Sequence, residues 1–236
     1  MEQIQEYEIT DTPNSSFIIV NSRRRSGKTV LVEDIVRRMK ENNMIDTAIL
    51  FSKTNSGLKN IPHSNRFEDI DELPKILRNV AMMNEFNKCC CKEDKFHLKM
   101  AIILDDFAVN LKDKNFSFLS ELSVNGRHLS YEPLSVHIIL ISQSFTKIPR
   151  VVRIQADLII FSQISSRKEQ DLILDEAFYI LDGSLAGRRE GRDLYNKLAT
   201  SDDYVFIVVE QFREGKIRSY ADYIKITKAD INKIQK

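Results

Sequence analysis

Ser22-Arg23-Arg24-Arg25-Ser26-Gly27-Lys28-Thr29 is a polar loop that ends in Gly-Lys-Thr, directly behind the apolar run Phe17-Ile18-Ile19-Val20. These residue types in this order suit a polyphosphate. Backbone N–H groups of Ser22 to Thr29 cradle it, Lys28 reaches its outer phosphates, and the Thr29 hydroxyl meets Mg²⁺. The phosphate-loop pattern G-x-x-x-x-G-K-[ST] asks for Gly where this chain has Ser22. That leaves another residue to carry a positive φ, at roughly 1–3 kcal/mol.

Two further runs end in groups of matching chemistry. Ala101-Ile102-Ile103-Leu104 leads into Asp105-Asp106, four apolar residues before two carboxylates, which is the form of a Walker B element. Asp105 is expected to hold Mg²⁺ together with Thr29, and Asp106 to orient or deprotonate an attacking water. Ile138-Ile139-Leu140-Ile141-Ser142 ends in Gln143, whose neutral amide can donate to a γ-phosphate oxygen and accept from the water. Arg127, at the exit of a helix closed by Gly126, is expected to reach nucleotide bound by a neighbouring subunit; Arg150 and Arg153 compete for that role.

The elements that must position these groups are legible as patterns. Residues 17–20, 47–52, 100–104, 136–142, 157–162 and 204–209 are short, β-branched and apolar on both faces, as strands of a covered parallel sheet are. A last pair of runs, near 216–226, alternates like an exposed edge hairpin or ribbon. After Lys28, the residues Leu31, Val32, Ile35, Val36 and Met39 recur at helical spacing, with Glu33–Arg37 and Asp34–Arg38 expected as ion pairs on the other face. A second helix opens at Asp71 and Pro74, with Leu73, Ile76, Leu77, Val80 and Met83 as its stripe. Others are expected over 115–125, over 166–181 and after Arg188. Strands alternating with helices predict a doubly wound α/β sandwich, a mostly parallel sheet covered on both faces. In such sheets ligands bind at the carboxyl ends of the strands, where all the residues above fall.

Composition sets limits. The chain has 236 residues and is 42% apolar, which suits one domain with its own core. Lys and Arg number 35 against 34 Asp and Glu, so any nucleic-acid surface must be a local stripe. No apolar run approaches the roughly 18 residues of a membrane span, and the acidic start Met-Glu-Gln-Ile-Gln-Glu lacks the pattern of a signal peptide. The three cysteines are the neighbours Cys89, Cys90 and Cys91, read as reduced thiols near a helix end; adjacent residues cannot close a tetrahedral zinc site. His63, His97, His128 and His137 have no ligand spacing.

Taken together, Phe17–Thr29, Ile102–Asp106, Gly126–His128, Ile138–Gln143 and Arg153–Phe161 resemble the FtsK–HerA superfamily of P-loop ATPases, and within it the genome-packaging ATPases of large double-stranded DNA viruses. The resemblance covers about residues 15–182 and leaves 183–236, a helix and edge strands, without a role. It implies a RecA-like core in one domain spanning 1–236, ATP and Mg²⁺ as ligands, and a homo-oligomeric ring of five or six subunits. It also implies movement of duplex DNA into a capsid, with a capsid or portal protein as partner. The location it implies is host cytoplasm or a viral factory, with virion association as a variant. Lys28, Thr29, Asp105, Asp106, Gln143 and Arg127 take the roles given above. Lys112, Lys114, Arg188, Arg189 and Arg192 are the candidates for DNA phosphate contacts. A small-molecule P-loop kinase with an Arg188–Arg192 lid, and a nucleotide-binding interaction protein without turnover, are the alternatives.

Overall fold

The structure is a computed structural model that describes residues 4–53, 57–90, 98–105, 136–178, 184–201, 204–211 and 219–229. Eight strands form one sheet: β1 (Phe17–Asn21), β2 (Thr47–Ser52), β3 (Arg66–Phe67), β4 (Met100–Asp105), β5 (Val136–Ser142), β6 (Leu158–Phe161), β7 (Phe206–Glu210) and β8 (Ile224–Thr227). Their order across the sheet is β3-β2-β4-β5-β1-β6-β7-β8. The first six run parallel; β7 and β8 are antiparallel. The α/β class and the mostly parallel sheet are as the sequence predicts.

Among the described residues five helices lie between them: α1 (Lys28–Glu41), α2 (Leu73–Cys90), α3 (Arg150–Arg153), α4 (Arg167–Ile173), which runs on into a π-turn over Leu174–Phe178, and α5 (Leu185–Ala199). Alternation along each strand sorts the side chains onto two faces. Ile18, Val20, Ala101, Ile103, Ile139 and Ile141 meet Leu31, Val32, Ile35, Val36 and Met39 of α1. Ile19, Phe51, Ile102, Leu104, Leu140 and Phe161 meet residues of α2, α3, α4 and α5 on the opposite side. An aromatic group anchors the C-terminal elements there. Phe178 and Tyr195 meet edge to face at 6.2 Å, the Tyr223 hydroxyl donates to the Phe178 carbonyl at 2.6 Å, and that of Tyr220 to the Gly187 carbonyl at 3.0 Å.

Several local expectations need correction. The C-terminal hairpin is made by β7 and β8; within the predicted 216–226, Tyr220–Asp222 is a 3₁₀ turn boxed by Ser219 and Asp222, and 216–218 lie outside the described residues. β8 is also mostly buried, because residues 5–7 lie along its outer edge: Tyr7 N–H donates to the Ile226 carbonyl at 2.8 Å and Ile226 N–H to the Gln5 carbonyl at 3.1 Å. Met83 is 56% exposed, since the helical stripe of α2 outlasts the core it packs on. Helix α5 begins before Arg188, at a Ser184 cap that accepts from Gly187 N–H. Asp34 does pair with Arg38 at 2.8 Å, but Arg37 pairs with Asp34 and Glu41. Glu33 is buried instead and accepts the Lys59 N–H at 2.5 Å, pinning the segment after β2 against α1.

Candidate functional site

β1 is buried along its whole length and delivers the chain to the sheet edge at Ser22, itself 1% exposed. Ser22 does not take a positive φ. The positive φ falls on Arg25 (60°) and Gly27 (86°). The Ser22 hydroxyl bonds those of Ser26 and Ser162, and its N–H donates to the Ser142 carbonyl at 3.1 Å. The loop is thereby tied to β5 and β6, the two strands that flank β1. Ser26 Oγ at 2.8 Å and Lys28 Nζ at 3.4 Å both donate to the Arg23 carbonyl, so the loop curls over the head of α1.

Gly27 is the N-cap of α1. It has no side chain with which to cap the first turn, and that turn carries no acidic residue. The N–H groups and the positive dipole end therefore stand available to an anion. Lys28, the first helical residue, is 9% exposed. Asn21 Oδ1 lies buried beneath the loop with no hydrogen-bond partner among the described residues.

Asp105 is the half-buried last residue of β4, level with Ile141 of β5, which is level with Val20 of β1. Two strand spacings, about 10 Å, separate its backbone from β1. Gln143 follows β5 in the strand between them, and its Oε1 accepts from Arg24 Nε at 3.0 Å. Loop, carboxylate and amide share one sheet edge. On the other side of the loop a cavity of about 500 Å³ opens, lined by Arg23, Arg25, Ser26, Ser162, Gln163, Thr200 and Tyr204 among others.

No family model matches this chain, and no curated protein does. Solved structures do. The DNA-packaging ATPase B204 of Sulfolobus turreted icosahedral virus superposes with a TM-score of 0.57 at 16% identity, over 92% of this chain and 98% of its own. The genome packaging NTPase B204 of Sulfolobus turreted icosahedral virus 2, in complex with sulfate, gives 0.61 at 16% identity, over 93% and 99%. The pCW3 conjugation coupling protein TcpA, with ATPγS, gives 0.58 at 12% identity, over 94% of this chain and 64% of that one. The fold is the α/β, RecA-like fold of these ATPases.

Within this P-loop fold the predicted residues divide. Ser22 to Thr29, Asp105 and Gln143 come together at one edge. Asp106, Arg127, Lys112 and Lys114 lie outside the described residues. Arg153 is removed as a free arginine. It is 7% exposed, forks onto Glu176 at 2.6 and 2.7 Å, bonds the Ile148 carbonyl, and lies over the Phe145 ring at 5.2 Å. Arg150 is exposed. Arg188 and Arg192 pair with Asp175 at 3.3 Å and Asp171 at 2.6 Å, whereas Arg189 is exposed. Sequence reasoning missed Ser162, Gln163, Thr200 and Tyr204. The carboxyl-end rule, applied to the run 157–162, would have found the first two; Thr200, at the end of α5, and Tyr204, in the turn before β7, carry no local signal.

Proposed function

We propose that the chain hydrolyses ATP and uses the cycle to move duplex DNA. The observation that carries the ATPase reading is the open, uncapped start of α1 with Lys28 at its head, on the same edge as Asp105 and Gln143. The loop N–H groups and Lys28 bind the β- and γ-phosphates. The hydroxyl of Thr29 and the carboxylate of Asp105 are hard oxygen donors of the kind Mg²⁺ accepts beside phosphates, and these two residues would hold it. Bound there, Mg²⁺ neutralises charge on the phosphate oxygens. Asp106 orients or deprotonates the attacking water. Arg24 can only donate, so its bond to Gln143 Oε1 turns the NH₂ of that amide to the donor role toward the γ-phosphate.

The DNA part rests on likeness to proteins named for packaging and conjugation. In a ring of identical subunits Arg127, or the exposed Arg150, would complete the neighbour's site and stabilise charge on the transferred phosphoryl group. Arg189, with Lys112 and Lys114, would meet DNA phosphates. The kinase alternative loses its one lid-like run, since Arg188 to Arg192 lie within α5 and two of the arginines are in ion pairs with Asp175 and Asp171. The test is ATP turnover measured against protein concentration, with and without linear duplex DNA. Turnover per subunit should rise with concentration and with DNA, vanish in Lys28→Ala, and fall sharply in Arg127→Ala while ATP still binds. Turnover indifferent to both concentration and DNA would refute the translocase reading.

A further inference from the structure

Tyr204 stands out among the large side chains of the surface. It is 63% exposed, yet it sits against the phosphate loop: a β-carbon at Gly27 would lie 3.1 Å from Tyr204 Cδ1 and 3.7 Å from Cε1. Its backbone takes φ = 61°, a conformation that bulky residues rarely adopt and that surroundings must enforce. The ring borders the cavity of about 500 Å³, within the size range of small-molecule sites. Around it are the hydroxyls of Ser162 and Thr200 and the amide of Gln163.

We infer that Tyr204 is the stacking platform for the base of the nucleotide, with Thr200 and Gln163 as the polar partners of its sugar and base edge. The inference rests on the phosphate reading given above. Phosphates fixed at the head of α1 leave the nucleoside to settle beside the loop. The cavity on the β6 side offers there an exposed aromatic face, room, and polar groups on its wall, the buried Ser162 and the exposed Gln163 and Thr200. Every base has a π-face, so the platform selects for a nucleoside over bare polyphosphate without choosing among bases.

The experiment measures binding of ATP and of inorganic tripolyphosphate by titration calorimetry to the full chain. Tyr204→Ala should weaken ATP about tenfold or more and leave tripolyphosphate within about twofold, as expected when a stacked base loses its partner. Tyr204→Phe keeps the ring and should bind ATP like the native chain. The chain has no Trp, so Tyr204→Trp introduces a single indole at this point. Its fluorescence should respond to ATP and stay silent to tripolyphosphate. Equal loss for both ligands in Tyr204→Ala, an unchanged ATP affinity, or an indole that reports both ligands alike overturns the platform. A native chain that binds neither ligand overturns the phosphate reading itself, so the two failures are distinct.

Discussion

Ser22→Gly would make the loop a closer match to the phosphate-loop pattern, and it should weaken the protein. Glycine is useful where φ is positive, and here that conformation belongs to Arg25 and Gly27, so Gly at position 22 relieves nothing. The substitution removes a hydroxyl that is 1% exposed and bonded to both Ser26 and Ser162. Each bond is worth about 1 kcal/mol net, and the greater freedom of Gly in the unfolded chain adds about 0.5–1 kcal/mol. The expected loss is about 2–3 kcal/mol, which for a chain of this length lowers Tm by roughly 5–10 °C. Urea unfolding should show a lower midpoint with an unchanged slope. Ser22→Ala separates the causes, losing the bonds but not the backbone restraint, and should fall about 0.5–1 kcal/mol short of the Gly variant. ATP affinity should drop with stability, because the bond to Ser162 ties the loop to β6. A Ser22→Gly protein as stable as the native one, or more so, would show that the hydroxyl does not hold the loop.

Three other outcomes are expected. His137 is fully buried with Nδ1 2.8 Å from Ser16 Oγ, and burial lowers its pKa from 6.5 to about 4. Above pH 6.5 it is neutral in both states; between 6.5 and 4 only the unfolded chain takes up the proton, so stability should fall by up to about 3 kcal/mol across that window. Unfolding midpoints against pH should lose that slope in His137→Gln. Arg153→Ala should cost about 3–5 kcal/mol by urea unfolding, since it leaves Glu176 unpaired, while Arg150→Ala stays within about 0.5 kcal/mol. Arg24→Ala removes the bond that orients the Gln143 amide and should lower the single-turnover rate about tenfold with ATP affinity nearly unchanged; an equal loss in both would place Arg24 on the phosphates instead.

What the sequence made legible was whatever repeats locally. The β-branched runs gave β1, β2, β4, β5 and β6, and the helical period of Leu31, Val32, Ile35, Val36 and Met39 gave α1, because each such residue answers to the same buried surface. Arg66–Phe67 is too short to show a period; it pairs with Leu50 and Phe51, where the Phe51 and Phe67 rings stack at 5.3 Å. Glu33 reads as an ion-pair partner of Arg37, because its actual partner, a backbone N–H 26 residues away, leaves no local signal. The motif substitution at Ser22 signalled strain, whereas the structure moves the strain to Arg25 and uses the hydroxyl. Tyr204 reads as the first residue of the run 204–209 and Thr200 shows no pattern, for a similar reason: nothing local in the sequence says that the turn before β7 lies beside Gly27.

Both margins of the sheet are short of docking room. On one side residues 5–7 occupy the rim of β8, and Lys225 Nζ adds a bond to Gln5 Oε1 at 3.2 Å; on the other, β3 extends for two residues. Copies of this chain therefore gain little by prolonging each other's ladder. In the proposed ring they would meet through helical flanks and connecting segments. Contacts of that kind could pivot and slip as a nucleotide binds and leaves, whereas a shared ladder of amide bonds would lock neighbours in one register.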